Sequence, residues 1–397
     1  MQIESFKYSL PYLVLVLFYV LLIVLEVLVN RQETGLKRNR AVIRWLSIGG
    51  LLFFFGFRGL IGWDWFHYYP EFEAIPNIFR FSSDVFETSF YNKGFTLYIS
   101  LSRTLCNNYF FFTFISTLVD LVILNELLKR FSRYYYALAC LLFIVMGGFY
   151  METDLIRNAK GIMLFILSIR YIQERKPLPF FLLNIAGLFF HLSSVIYLPM
   201  YFILNANIKR NVFVIVFLAG LFITLLQLEY IRPFLAWLAG MLGEDFTELL
   251  EKYLEISEYS TSYGLTIGLV ERILTTGLVI IYYYRLLDAN PDNRIFINSF
   301  FIYLIIFFFF SEIKIIPIRV GGLFSYSYWL LYPALLQVIK IKNNRSLVIG
   351  FIIIYSLIKI EGMTDNILYR YKNILFGKEN YIERKEIFDR SYDTLFN

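Results

Sequence analysis

The chain is predicted to be an all-α, polytopic membrane protein: a bundle of about ten spanning helices plus one pair of half-spans. Three observations carry this. Of its 397 residues, 58% are hydrophobic and only 17% charged, against about 45–50% and about 25% in soluble domains. The apolar residues lie in long unbroken runs rather than at strand period, which argues against a membrane β-barrel. The charges are segregated into basic and acidic connecting segments, as expected of loops on two sides of a bilayer. A soluble enzyme, a disordered chain and a collagen-like fibre are excluded on the same grounds. The net charge of +6 sets orientation before it implies nucleic acid, and no nucleic-acid partner is expected. Cys106 and Cys140 have neither a disulfide framework nor a metal-type spacing.

In chain order, runs of spanning length fall near 9–30, 42–60, 109–128, 136–150, 157–173, 212–230, 265–287, 295–310, 321–339 and 346–360. The first lacks a small-residue cleavage site and reads as a retained anchor. Basic clusters follow the first span (Arg31, Lys37, Arg38, Arg40, Arg44) and the third (Lys129, Arg130, Arg133). They recur at Arg170, Arg175 and Lys176, and again at Lys340, Lys342 and Arg345. These belong in the cytoplasm. The acidic segments 62–92 and 241–262 belong outside, so the outer loops are 61–108 and 231–264. The layout is one multispan domain over 1–397 with a C-terminal tail, 361–397. Residues 93–107 read as an interfacial helix, and 244–259 as a helix suited to a lid.

The run 178–204 breaks the parity, because basic residues stand at both of its ends. Two half-spans meeting near His191 restore it, and broken helices of this kind line enclosed watery cavities.

Candidate functional residues gather at one membrane level. Arg58 ends the second span and can hold a phosphate or carboxylate through a fork of donors. Asp64 and Tyr68 lie one helical turn apart, flanked by Trp63 and Trp65, which suit a sugar face or the interfacial belt. Arg157 opens the fifth span within Arg157-Asn158-Ala159-Lys160-Gly161, where a guanidinium and helix N-terminal amides make an anion site. His191 stands in Phe190-His191-Leu192-Ser193-Ser194; an imidazole there can accept a hydroxyl proton or, protonated, bind phosphate. Arg319 starts the tenth span, with Tyr326 and Tyr328 beyond it. A diphosphate would explain three guanidiniums at one level. Asp120, mid-span, requires a partner or a proton. Glu152-Thr153-Asp154 is a short E-x-D pattern with weak claim to a cation, so no metal site and no cofactor is assigned. No Walker A, HExxH or GxSxG motif occurs.

This ordered set resembles the EpsG-type branch of bacterial Wzy-like polysaccharide polymerases, which build O-antigen, capsule or exopolysaccharide. The resemblance rests on Gly62, Asp64 and Tyr68 after Arg58, on Arg157, on Phe190, His191 and Ser193, and on Arg319 followed by Tyr326. It runs from about residue 50 to 335. Two positions depart from the pattern: Lys160 stands where a small residue is usual, and Trp65 where a Tyr is.

The resemblance implies an inner-membrane glycosyltransferase with its active site on the outer face and a bundle like that of GT-C-type transferases. It would join undecaprenyl-diphosphate-linked oligosaccharide repeat units and release undecaprenyl diphosphate. The implied partners are the lipid-linked donor and acceptor glycans, membrane lipid, a chain-length regulator and a flippase. Catalytic roles fall to His191, Asp64, Arg157 and Arg319, and substrate binding to Arg58, Tyr68, Trp63, Trp65, Lys160, Ser193 and Tyr326. Rivals are a flippase for lipid-linked sugars, a glycan ligase of the same chemistry and a membrane O-acyltransferase.

Overall fold

The computed structural model describes residues 4–30, 36–132, 134–242, 262, 264, 266–377 and 379–396. The segment 244–259, expected to form a lid helix, lies outside the described residues. What is described is helical. Its only β pairings are two isolated bridges, Glu4 with Asn366 and Arg58 with Asn373. Contacts divide the chain into two compact units: residues 1–201 with 341–397, and residues 202–340.

The first unit runs α1 (Phe6–Val29), α2 (Leu36–Leu51), α3 (Trp65–Ala74), α4 (Lys93–Leu105), α5 (Tyr109–Phe131), α6 (Tyr136–Thr153), α7 (Ile156–Gln173) and α8 (Pro177–Phe190). The helix Lys342–Thr364 and a C-terminal helix, Tyr381–Phe396, complete it. α6 contains a break, with Gly147 at φ +103, a conformation glycine adopts without steric cost. Its N-terminus is closed from a distance: the Glu26 carboxylate of α1 accepts the Tyr136 and Ala137 N–H groups at 2.6 and 3.1 Å.

Five helices among the described residues are long and apolar enough to cross a membrane: α1, α5, α6, Ile267–Ala289 and Lys342–Thr364. A sixth results if Arg210–Leu226 and Ile231–Met241, bent by 90°, are one broken span. The protein is thus polytopic and helical, but length and composition support fewer spans than the apolar runs suggest. The reasons are local. α7 carries Arg157, Lys160 and Arg170 within its 18 residues. Helix Asn293–Phe309 stops at 17 residues. The run 321–339 is split between a 3₁₀ turn, Gly321–Phe324, and a 13-residue helix, Tyr326–Val338.

The run 178–204 does break at His191. α8 ends there in extended backbone (φ −154°, ψ 132°), and a 3₁₀ helix, Leu192–Tyr197, follows. The second arm folds back along the first. The Tyr201 ring lies 5.3 Å from that of Phe180, and a Cβ added to Gly187 would come within 3.2 Å of the Ser194 Cβ. The result is a hairpin with His191 at its tip. Its first arm, 14 residues, is about 21 Å long, short of the about 30 Å of a hydrocarbon core.

The second unit packs Arg210–Leu226, Ile267–Ala289, Asn293–Phe309 and Tyr326–Val338 around buried aromatics, including Trp329 and Tyr328. Here too a remote carboxylate closes a helix. Glu312 accepts the N–H groups of Tyr230, Ile231 and Arg232 at 2.8, 2.6 and 2.9 Å, at the start of helix Ile231–Leu242. These are donors that a helix leaves without internal partners.

Candidate active site

The site begins with the loop that joins α2 to α3. Arg58 is 3% exposed, so the guanidinium is enclosed rather than offered to a ligand. Its Nη1 donates to the Phe55 carbonyl and to Thr117 Oγ1 at 3.1 Å, and Thr117 Oγ1 donates to Glu152 Oε2 at 2.7 Å. Arg58 thus anchors the end of α2 to α5 and α6. Burying a guanidinium is tolerable only with such partners and carboxylates nearby.

Beyond Arg58 the chain threads between two carboxylates. A Cβ on Gly59 would overlap Glu379 Oε2, and a Cβ on Gly62, at φ +85, would overlap Asp154 Oδ1. Asp154 Oδ1 accepts the Trp63 N–H at 2.5 Å and the Asp64 N–H at 3.4 Å. Its Oδ2 accepts from Thr153 Oγ1 and from the Tyr369 hydroxyl. Burial pushes the Asp154 carboxyl up from its usual range, while the donors from Trp63, Thr153 and Asp64 pull the other way. The E-x-D pair is thus engaged within the protein: Asp154 holds the loop and Glu152 the Arg58–Thr117 chain. Asp64 follows, half-buried. Its carbonyl accepts the His67 and Tyr68 N–H groups, both at 3.0 Å, and its side chain does not cap α3.

One turn on, Tyr68 is buried, and its hydroxyl accepts the Arg157 backbone N–H at 3.4 Å. Burial holds the Tyr68 phenol protonated, with the Asp64 charge adding to the effect, so its proton remains available for donation. The Arg157 guanidinium lies 4.9 Å from the Tyr91 ring centroid, a cation–π seat. Its Nε is buried and has no hydrogen-bond partner among the described residues. Arg157 is half-buried, at the N-terminal turn of α7.

Asn158, next in line, ties α7 to the hairpin tip. Ser193 Oγ donates to Asn158 Oδ1 at 2.8 Å and lies 2.8 Å from His191 Nδ1, and the Ser193 N–H reaches the same ring nitrogen at 3.2 Å. The His191 imidazole is thereby the cap of the 3₁₀ helix. The tip is braced by α4 as well. A Cβ on Gly94 would stand 2.7 Å from the Phe189 carbonyl oxygen, and the Tyr98 and Phe190 rings lie 6.2 Å apart.

The fold therefore links Asp64–Tyr68, Arg157 and His191–Ser193 through direct contacts, although they come from three well-separated segments. It assigns other expected ligands elsewhere. Lys160 is 5% exposed and paired with Asp120 at 2.5 Å, and it also donates to the Ser116 carbonyl at 2.8 Å. This supplies the partner Asp120 required, and places Lys160 in a buried ion pair. Trp65, 3% exposed, packs on Tyr381 and Phe388 of the C-terminal helix, and Trp63 also meets Phe388. Trp65 is a packing residue rather than a sugar platform. His67 is exposed.

In the second unit, Tyr326 is buried with its hydroxyl bonded to Ser299, so it too is structural. Arg319 is exposed at the end of the short helix Ile315–Arg319. A buried polar group surrounds Glu271, which accepts from the hydroxyls of Thr275 and, at 3.0 Å, Tyr328.

Sequence reasoning missed Asn158, Tyr91, Asp154, Glu379 and Arg384 as builders of the site. Asn158 was visible beside Arg157. Gly62 hinted at a close approach, but nothing local named the approaching carboxylate.

Compared with known proteins, residues 42–373 match a family model described as the EpsG family. No curated protein and no solved structure matches the chain. The family match covers most of the sequence, and the chain belongs to the EpsG family.

Proposed function

We propose that this EpsG-family membrane protein is a polysaccharide polymerase, a glycosyltransferase of the outer face of the cytoplasmic membrane. It joins undecaprenyl-diphosphate-linked repeat units and releases undecaprenyl diphosphate. Its partners are the lipid-linked donor and acceptor, with a flippase and a chain-length regulator acting beside it. In this reading the shorter apolar helices complete a bundle of about ten spans of the GT-C kind, and the His191 hairpin is the expected half-span pair.

The observation that carries the proposal is the contact chain Tyr68–Arg157–Asn158–Ser193–His191, with Asp64 one turn before Tyr68. It gathers a cation, a carboxylate and an imidazole in half-buried positions beside a buried phenol. Glycosyl transfer from a lipid diphosphate needs a base and a cation, and this group offers both. A hydroxyl oxygen of the acceptor sugar bonds to the donor's anomeric carbon. The bond from that carbon to the diphosphate oxygen breaks, and its electron pair leaves with the phosphate. The hydroxyl proton goes to a base. Arg157 stabilises the growing charge on the diphosphate, where a fixed guanidinium in a water-poor setting has most effect. His191 or Asp64 takes the proton. Ser193 and Asn158 fix the imidazole ring in place through contacts at Nδ1. Arg319 is a second candidate for stabilising a diphosphate, and its own substitution tests it.

The experiment is incubation of purified protein with a synthetic undecaprenyl-diphosphate repeat unit, without nucleotide sugar. A ladder of longer glycans is expected. Transfer of one finished glycan onto a different acceptor would make the protein a ligase. Movement of the unit across liposomes with no new glycosidic bond would make it a flippase.

A further inference from the structure

The residues that hold the Asp64 loop include two from a region that neither the motifs nor the family match reaches. The matched region ends at residue 373, and Glu379 and Arg384 follow it. Leu60 is gripped at both of its backbone polar atoms. Its N–H donates to Glu379 Oε2 at 3.3 Å, and its carbonyl accepts from Arg384 Nε at 2.8 Å. Arg384 also donates through Nη2 to the Arg370 carbonyl at 2.7 Å, and its Nε lies 3.8 Å from Glu379 Oε1. The two side chains are 3% and 2% exposed. An enclosed pair of charges that both hydrogen-bond the backbone of one loop residue is an expensive arrangement to keep for packing alone.

The neighbouring backbone is held in the same way. Gly59 N–H donates to the Lys372 carbonyl at 2.8 Å, and Gly62 N–H to that of Leu368 at 3.0 Å. Farther out, Phe388 stacks on Phe66 at 4.3 Å and Tyr381 on Tyr69 at 4.6 Å, both on α3. Asp154 holds Trp63 and Asp64 from α6. The loop that ends in Asp64 is therefore clasped between α6 and the C-terminal segment. Its two glycines stand where the two clasping carboxylates come closest.

We infer that Glu379 and Arg384 are positioning residues for the proposed active site, setting the Asp64 loop in register with Arg157 through the backbone of Leu60. This rests on the reading of Asp64 and Arg157 as active-site groups. The C-terminal segment touches the loop behind Asp64 rather than the reacting atoms. Freeing Leu60 should let the loop drift relative to α7, where displacement by about 1 Å can cost about a hundredfold in rate.

The test uses full-length Arg384→Ala, Arg384→Lys and Glu379→Gln in detergent or nanodiscs, followed by polymerisation kinetics and by amide hydrogen exchange. In Arg384→Ala, kcat should fall about tenfold to a hundredfold, with KM for the lipid-linked unit little changed. The amides from Leu60 to Asp64 should exchange faster while those of α5 and α7 keep their protection. Arg384→Lys should recover part of the loss, since an ammonium can still donate to the Leu60 carbonyl. Glu379→Gln keeps an acceptor for the Leu60 N–H and should lose least. Unchanged kcat in Arg384→Ala, or a loss accompanied by unprotected α5 and α7, overturns the inference. An inactive wild-type chain would remove the polymerase reading instead. Exchange at Leu60 would then decide alone, and no change there in Arg384→Ala would overturn the brace.

Discussion

Arg157 and Arg319 answer to the same sequence logic, an arginine near the end of an apolar run, yet the two units present them differently. In the first unit, Arg157 is half-buried and seated on the Tyr91 ring, with its backbone bonded to Tyr68 and its neighbour Asn158 bonded to Ser193. In the second, Arg319 is exposed at the end of a five-residue helix. Ordering a free arginine side chain costs about 1.5–2 kcal/mol, so the first guanidinium meets an anion with part of that cost already met. The difference teaches that residue type marks a candidate, while readiness comes from what the neighbouring segments hold in place.

The sharpest way to break this comparison is to undermine the helix on which Arg157 stands. Lys160, one turn later, is buried against Asp120. Lys160→Met should leave an uncompensated carboxylate and cost about 3–5 kcal/mol, seen as a fall in thermal stability in detergent. The double change Lys160→Met with Asp120→Leu should recover most of it. A stable single variant would show that the pair does not anchor α7.

Next in size is Arg157→Ala, which under the proposed function removes the charge offered to the leaving diphosphate. The rate should fall about a hundredfold to a thousandfold, measured as the initial rate of glycan lengthening in a protein of normal stability. Asp154→Ala, which frees the Trp63 and Asp64 N–H groups, should destabilise by about 1–3 kcal/mol. Asp154→Asn, which keeps an acceptor, should cost clearly less. Equal losses in the two would mean that charge, rather than hydrogen bonding, holds the loop. Smallest is the effect of changing arginine to lysine. Arg157→Lys loses the stacked, forked geometry and should slow transfer about tenfold, whereas Arg319→Lys should stay within about threefold, since each 1.36 kcal/mol is tenfold. Identical losses at the two positions would erase the contrast between them.

How much of this was legible in the sequence depended on the range of the forces involved. The membrane-spanning character follows from uninterrupted apolar runs, which act locally. The break at His191 followed from basic residues at both ends of one run. Asp120 could be seen to need a partner, but only folding names Lys160, 40 residues away. Arg58 and Trp65 have the chemistry of ligand-binding residues and are enclosed instead, Trp65 by a helix more than 300 positions later in the chain. Asp154 stands out only as half of a short E-x-D pattern, and nothing in the sequence marks Glu26, Glu312 or Glu379. Each in fact accepts backbone N–H groups far along the chain, and no periodicity or spacing reports such a pairing.

Under the proposed function, the Arg157 site builds glycan from lipid-diphosphate units. The most direct test is the ladder assay on Arg157→Ala beside the wild type, each given the same synthetic undecaprenyl-diphosphate repeat unit. The wild type should give a ladder, and the equally well-folded variant unextended, intact substrate. A wild-type ladder from Arg157→Ala would contradict that reading.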